Sequence, residues 1–320
     1  MSRGVDAPNR EPMRRLPGPS RREVIAGLAA ELDAGGIPGA LHEAQRLLCH
    51  VLDLSRTDLL LGMDSPVRPE EAGRIAAVSR RRLSGVPLQH IEGTVAFRDL
   101  ELLCDGRALV PRPETEQLVQ RVVDWAFSRD SADGVRRVRR SATVLTPALD
   151  DALDIGTGSG AIALSLIHEG VTSRAVAVDI SSVALEQARQ NALRAGLEKR
   201  VDFRRAAASP WDAIGAEETY DVIVSNPPYS ADGEVATLAP EVRDHDPRIA
   251  LEGGVDGLDL VREIVGRAAR HLRPGGGLFL EVGVGQAERV RGLLEDAGSW
   301  RTIEALPDLA GRGRFVIALR

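Results

Sequence analysis

Asp154-Ile155-Gly156-Thr157-Gly158-Ser159-Gly160 is the stretch that decides how this chain folds. It closes a segment that reads as a strand, Ala148 to Ile155, and opens a segment with helical patterning. Glycines at such a strand-to-helix junction let the backbone turn tightly and let a ligand approach without Cβ atoms in the way. Beyond it, apolar runs at 175–179, 201–204 and 220–225 alternate with helical segments, chief among them Ser182 to Ala195. A helix from Leu258 to His271, a strand from Leu278 to Val282, a helix from Gln286 to Ala297 and a strand from Phe315 to Leu319 complete the series. Strands alternating with helices predict an α/β, Rossmann-like parallel sheet covered on both faces. In a doubly wound sheet the first and fourth of these strands lie side by side, so the turns that follow them open into one crevice.

The turn and the strand after it bear on a cofactor. Gly158-x-Gly160-x-x-Ala163 satisfies the dinucleotide fingerprint, and Asp179 ends a strand at the distance expected of a ribose-binding acid. Three alternating glycines directly behind an acid fit an S-adenosyl-methionine turn better, because that cofactor has no pyrophosphate to place at a helix N-terminus. Asp154 is then expected to reach the cofactor's ammonium, directly or through water. Asp179 is expected to accept the ribose hydroxyls in charge-assisted hydrogen bonds, with Ser181 capping the next helix.

Tyr220 to Ser225 reads as a buried strand and runs into Asn226-Pro227-Pro228-Tyr229. Pro227 keeps Asn226 out of the helical region, and both prolines have fixed φ and no N–H. The segment is stiff and offers two acceptors, the Asn226 side-chain oxygen and the Pro227 carbonyl. A planar NH2 group, whether of a carboxamide or of adenine, would satisfy its two donors there. Its lone pair would be left toward an incoming methyl group, with the growing positive charge stabilised by fixed dipoles. Tyr229 is expected to pack on the planar substrate.

The rest of the chain sets bounds. At 320 residues, with 43% hydrophobic and 28% charged residues, it has the size of about two ordinary globular domains. Residues 1–19, rich in Arg and Pro, read as a disordered leader without a signal-type apolar run. Residues 20–92 repeat apolar positions at helical spacing and predict a bundle of three to five short helices. Residues 93–110 read as a β-hairpin linker, Thr94 to Phe97 and Leu100 to Leu103, before a second domain spanning 111–320. Within that domain the polar stretch 128–147, with Arg136, Arg137, Arg139 and Arg140, reads as a mobile, dispensable insertion. Only two cysteines, Cys49 and Cys104, are present, so neither a disulfide framework nor a metal site is expected, and a reducing cytoplasm fits. A net charge of -6 and 3% aromatic residues disfavour a nucleic-acid surface; no run is long enough for a membrane helix.

Taken together these motifs resemble the HemK/PrmC family of protein-glutamine N5-methyltransferases. The likeness runs from about Ser20 to Arg320. It also draws on Pro87-Leu88-Gln89-His90-Ile91, Val110-Pro111-Arg112-Pro113-Glu114-Thr115-Glu116, Ala250-Leu251-Glu252-Gly253-Gly254 and Asp256-Gly257-Leu258. The resemblance implies a class I methyltransferase sheet of seven strands with the last one antiparallel, and S-adenosyl-methionine as methyl donor. It implies a helical domain that helps grip class-1 peptide-chain release factors around their Gly-Gly-Gln loop. Carried over, Asp154, Gly156, Thr157, Gly158, Ser159, Gly160, Asp179 and Asn226 contact the cofactor and Trp211 flanks its adenine. Asn226, Pro227, Pro228, Tyr229 and Arg112 meet the substrate, with Asn226, Pro227 and Tyr229 carrying the catalysis.

One departure stands out: the position before Trp211, commonly an acid in the family, is Pro210. Transfer is expected to be direct and in line, since neither cysteine sits in a motif and no Ser-His-Asp constellation is visible. The alternatives are an adenine-N6 methyltransferase acting on DNA or RNA, an NAD-dependent oxidoreductase and a silent binding module. The oxidoreductase leaves Asn226 to Tyr229 unexplained.

Overall fold

The computed structural model describes residues 18–129 and 147–320, which form two compact units, one ending at Ser84 and the other running from Gly85 to Arg320. The arginine-rich stretch and nearly all of the leader lie outside the described residues. Ser128 and Arg129, read from the sequence as the start of the insertion, are instead the last turn of a helix.

The first unit holds α1 (Arg21–Ala34), α2 (Ala40–Leu52), α3 (Arg56–Leu61) and α4 (Pro69–Leu83). Ser20 and Glu23 form a capping box at the start of α1, satisfying two N–H groups the helix cannot. Ile25, Leu28 and Leu32 of α1 are buried, as are Ala44, Leu47, Leu48 and Val51 of α2 and Ile75 of α4. The same helical periodicity that predicted the bundle thus forms its core. Arg82 of α4 donates to Glu43 of α2 at 2.5 Å, a closed ion pair between two helices.

The second unit begins with α5 (Leu88–Glu92), so the division falls ahead of a helix that sequence pattern groups with the bundle. Strands β1 (Thr94–Phe97) and β2 (Leu100–Leu103) pair antiparallel as the hairpin. Next come α6 (Pro113–Arg129), β3 (Leu149–Ile155), α7 (Ala161–His168), β4 (Thr172–Asp179), α8 (Ser182–Ala195), β5 (Val201–Arg205) and β6 (Tyr220–Ser225). A long connection carrying the short α9 (Pro240–Arg243) leads to α10 (Asp259–His271), β7 (Leu272–Glu281), α11 (Ala287–Ala297), β8 (Thr302–Pro307) and β9 (Gly313–Leu319).

These strands form one seven-stranded sheet in the order β5-β4-β3-β6-β7-β9-β8, with β9 antiparallel to both neighbours. That is the class I methyltransferase arrangement. The period of two along the strands divides the core. Val222, Val224 and Phe279 face one layer with Val119 and Val122 of α6 and Leu164 of α7, while Ile223, Leu278 and Leu280 face the other with Val261 and Ile264 of α10 and Val290 of α11. β3 pairs with β4 on one side and β6 on the other, so the chain reverses its winding direction between these strands.

Two features depart from the sequence reading. β7 starts at Leu272, through Pro274-Gly275-Gly276, with a register shift opposite Tyr220/Val222. β8 was not predicted because it is an edge strand whose residues are exposed or half-buried, giving no apolar run. No helix among the described residues is long and apolar enough to cross a membrane.

Candidate active site

The glycine turn runs between β3 and α7 with positive φ at Gly156, Gly158 and Gly160 (72°, 55° and 84°), a conformation that other residues adopt only at a cost. Asp179, at the end of β4, fastens the turn. Its Oδ2 accepts the Gly158 N–H at 2.9 Å and its Oδ1 accepts the Ser181 N–H at 2.8 Å. Asn191 of α8 holds the turn from the other side, donating to the Ser159 carbonyl at 2.9 Å while accepting the Leu103 N–H at 2.7 Å.

A cavity of about 340 Å3 opens over the ends of β3, β4 and β6. Of the residues the sequence singles out, Gly156, Thr157, Gly158, Ser159, Asp179, Asn226, Pro228 and Arg112 line it. So do Ile180, Ala208 and Pro210, Leu260 and Glu263 of α10, the buried Thr115, and Ala250, Glu252, Gly253 and Gly254 of the glycine-rich loop. Arg112 is fixed there by Asp246, whose Oδ2 accepts its guanidinium at 2.6 Å. Glu263 is tied at 2.6 Å to the Ser209 hydroxyl.

Other expected site residues lie elsewhere. Trp211 is only 5% exposed and stacks on His271 at 4.9 Å between ring centroids, with its indole N–H on the Glu263 carbonyl. The ring fills the core of the α10 layer rather than the cavity, because Asp212 folds the preceding backbone into a tight turn by accepting the Ala208 and Ser209 N–H groups. Asp154 is fully buried and does not line the cavity. Its Oδ2 accepts from the Thr157 hydroxyl at 2.7 Å and from the Ala163 N–H at 3.1 Å, so it braces the turn from within. Gly160 also lies outside the lining, where a Cβ would come within 3.3 Å of Ala188 and 3.2 Å of Leu164. Its place is helix packing. Pro227 is buried and outside the lining, as is Tyr229, whose ring is covered by the Arg314 guanidinium, 4.9 Å from its centroid.

Asn226 is the centre of the arrangement. Its Nδ2 donates to Thr115 Oγ1 at 3.0 Å, and Thr115 donates to Glu281 Oε2 at 2.8 Å. Its Oδ1 is buried without a partner among the described residues. Burial pushes the Glu281 carboxyl up from its ordinary value, against the pull of Thr115 and Arg314. The glycine-rich loop explains itself by how closely it wraps the turn. A Cβ on Gly253 would lie 2.7 Å from the Pro228 carbonyl oxygen, and Ser230 exchanges backbone hydrogen bonds with Leu251 and Gly253 (2.9 and 2.8 Å). Burial drives the Cys104 thiol up to about 12, leaving it without nucleophilic character.

Comparison with known proteins fixes the family. Residues 23–93 match the PrmC N-terminal domain and residues 126–242 the methyltransferase small domain. The release factor glutamine methyltransferase of Deinococcus radiodurans is 39% identical over 299 residues, covering 93% of this chain and 98% of its own. That of Cereibacter sphaeroides is 38% identical over 296 residues, covering 92% and 97%. This chain belongs to the release factor glutamine methyltransferase family. The fold alone extends further: the hMettl16 catalytic domain, solved in complex with MAT2A 3'UTR hairpin 6, superposes with a TM-score of 0.51 at 12% identity over 72% of this chain and 80% of that one. Signals for the residues that family motifs did not supply were faint, since Ile180, Ala208 and Leu260 are ordinary apolar residues until the sheet brings them together.

Asp154 gives this methyltransferase a pH signature. Burial, and to a lesser degree Asp179, push its carboxyl up to about 7 despite the hydrogen bonds from Thr157 and Ala163. The folded form therefore keeps a proton that the unfolded chain releases near pH 4, so this group favours folding most below that value and loses its contribution as pH rises through 7. Asp154→Asn removes the dependence. Urea unfolding at pH 5 and pH 8 should show the variant gaining on wild type by more than about 1.4 kcal/mol, the equivalent of one pKa unit. Parallel pH profiles would contradict the assignment.

Proposed function

We propose that this chain transfers a methyl group from S-adenosyl-methionine to the side-chain amide nitrogen of the glutamine in the Gly-Gly-Gln motif of class-1 peptide-chain release factors. The observation that carries the reading is the buried Asn226 Oδ1 beside the cavity, unpartnered among the described residues. A carboxamide NH2 is the group that such an acceptor suits, with the Pro227 carbonyl taking the second proton.

The residues present fit the cofactor. The positive-φ glycine turn leaves backbone at Gly156 and Gly158 open to a ligand. An ionised Asp179 has acceptor capacity left after its two backbone bonds, enough for ribose hydroxyls. When bound, S-adenosyl-methionine supplies an electrophilic methyl on its sulfonium. Ile180, Ala208, Pro210 and Leu260 add apolar surface to the same cavity, which suits a planar base. Glu263, held by Ser209, provides there the acceptor for an exocyclic amine that Pro210 lacks.

Catalysis then rests on placement. Asn226 and the Pro227 carbonyl hold the two amide protons in the plane, turning the nitrogen lone pair toward the methyl and favouring the positive charge that grows on the nitrogen. The proton lost afterwards is acidic enough to leave to water, so a strong base is not required. Both arginines lining the cavity are engaged, Arg107 with Asp105 at 2.7 Å and Arg112 with Asp246, and four carboxylates share the lining. That charge balance supports a protein substrate over a phosphate backbone. Residues 20–92 would help grip the release factor, and such a substrate fits a cytoplasmic location.

Labelled S-adenosyl-methionine should mark a class-1 release factor and leave DNA and RNA unlabelled; label on nucleic acid alone would overturn the substrate. Asn226→Ala should lower kcat by about 100-fold with cofactor affinity nearly unchanged. Asp179→Ala should instead weaken cofactor binding roughly 10- to 100-fold. Small and equal effects of both would refute the roles. Glu263→Ala should raise the cofactor Kd by about tenfold, and an unchanged Kd would remove Glu263 from the adenine edge.

A further inference from the structure

We infer that Thr115, Glu281 and Arg314 form a chain of positioning residues that decides which end of the Asn226 side chain faces the substrate. The inference rests on the proposed role of Asn226 as acceptor for the glutamine amide. An asparagine amide can occupy one shape in two ways, oxygen outward or nitrogen outward. Only the first accepts a proton from a substrate NH2, while the second sets donor against donor.

The chain of hydrogen bonds settles the choice. Thr115 Oγ1 has one proton to give and lies 2.8 Å from Glu281 Oε2 and 3.0 Å from Asn226 Nδ2. A carboxylate only accepts, so the proton goes to Glu281 and the Thr115 lone pair is left for Nδ2. Oδ1 must then point away from Thr115, and it is the atom left without a partner among the described residues. Reversing the amide would press Oδ1 against an oxygen whose proton is already committed.

Arg314 draws Glu281 toward its ionised, accepting form, against the burial that pushes the carboxyl up. Its Nη2 donates to Glu281 Oε1 at 2.9 Å, and the pair is closed off from solvent, the side chains being 9% and 1% exposed. Arg314 is braced in turn by Tyr229, whose hydroxyl lies 3.3 Å from Nη2 and whose ring lies under the guanidinium. The tyrosine of the Asn-Pro-Pro-Tyr turn thereby returns to the asparagine of the same turn through three side chains from α6, β7 and β9. It acts on the orientation of the acceptor rather than on the substrate plane.

The test separates orientation from packing. Thr115→Val keeps the shape and removes the hydroxyl. It should lower kcat roughly 10- to 100-fold, while the Kd for S-adenosyl-methionine and the KM for the release factor stay within about threefold of wild type. Thr115→Ser should restore kcat to within about threefold. Glu281→Gln, whose amide can either accept from or donate to Thr115 and so no longer enforces one polarity, should also lower kcat without changing cofactor affinity. It carries the test by the same criterion if Thr115→Val does not fold. Wild-type kcat in Thr115→Val, or equal damage in the Val and Ser variants with weakened cofactor binding, would overturn the inference. If Asn226→Ala retains full activity as well, the failure belongs to the role of Asn226 itself.

Discussion

A buried acceptor without a donor is the constraint around which this molecule is arranged. Leaving Asn226 Oδ1 unpaired costs on the order of 1–3 kcal/mol, which a folded chain tolerates only where something holds the group in place. Several elements do so. β6 ends at the Pro-Pro turn, which fixes the asparagine backbone; α6 brings Thr115 to its Nδ2; the glycine loop 250–257 presses on the turn from outside. A surface side chain would turn to water instead. In this position the asparagine stays aimed, and a substrate amide gains both a partner and a direction.

The sheet makes the second half of the geometry. Because β3 sits between β4 and β6, the glycine turn, Asp179 and Asn226 rise from three adjacent strands at the same end. Cofactor and acceptor sites thus share one cavity as a result of strand order. The buried polar ties, Asp154 within the turn and Asn191 between the turn and the hairpin, keep that end of the sheet from relaxing.

Much of this was legible in the residues alone. Apolar runs at strand period, the Gly156 to Gly160 turn, the acid at 179 and the Asn226 to Tyr229 segment are local signals, and each points to a local structure. What could not be read were side-chain destinations. Trp211 occupies a position that suggested adenine, yet its ring turns inward onto His271, because the local turn set by Asp212 determines its direction. Tyr229 faces Arg314, and Thr115 meets Glu281 across 166 residues of sequence. A tertiary hydrogen bond of that span leaves no periodicity behind. Edge strand β8, half exposed along its length, fails to register for a related reason: solvent, not packing, covers much of it.

The most direct measurement is a crystal structure of the protein with S-adenosyl-homocysteine and a Gly-Gly-Gln peptide. The account predicts the glutamine amide nitrogen within hydrogen-bonding distance of Asn226 Oδ1 and of the Pro227 carbonyl oxygen, with the cofactor sulfur in line beyond it. An amide bound away from Asn226, or one presenting its oxygen rather than its nitrogen to the cofactor, would contradict it.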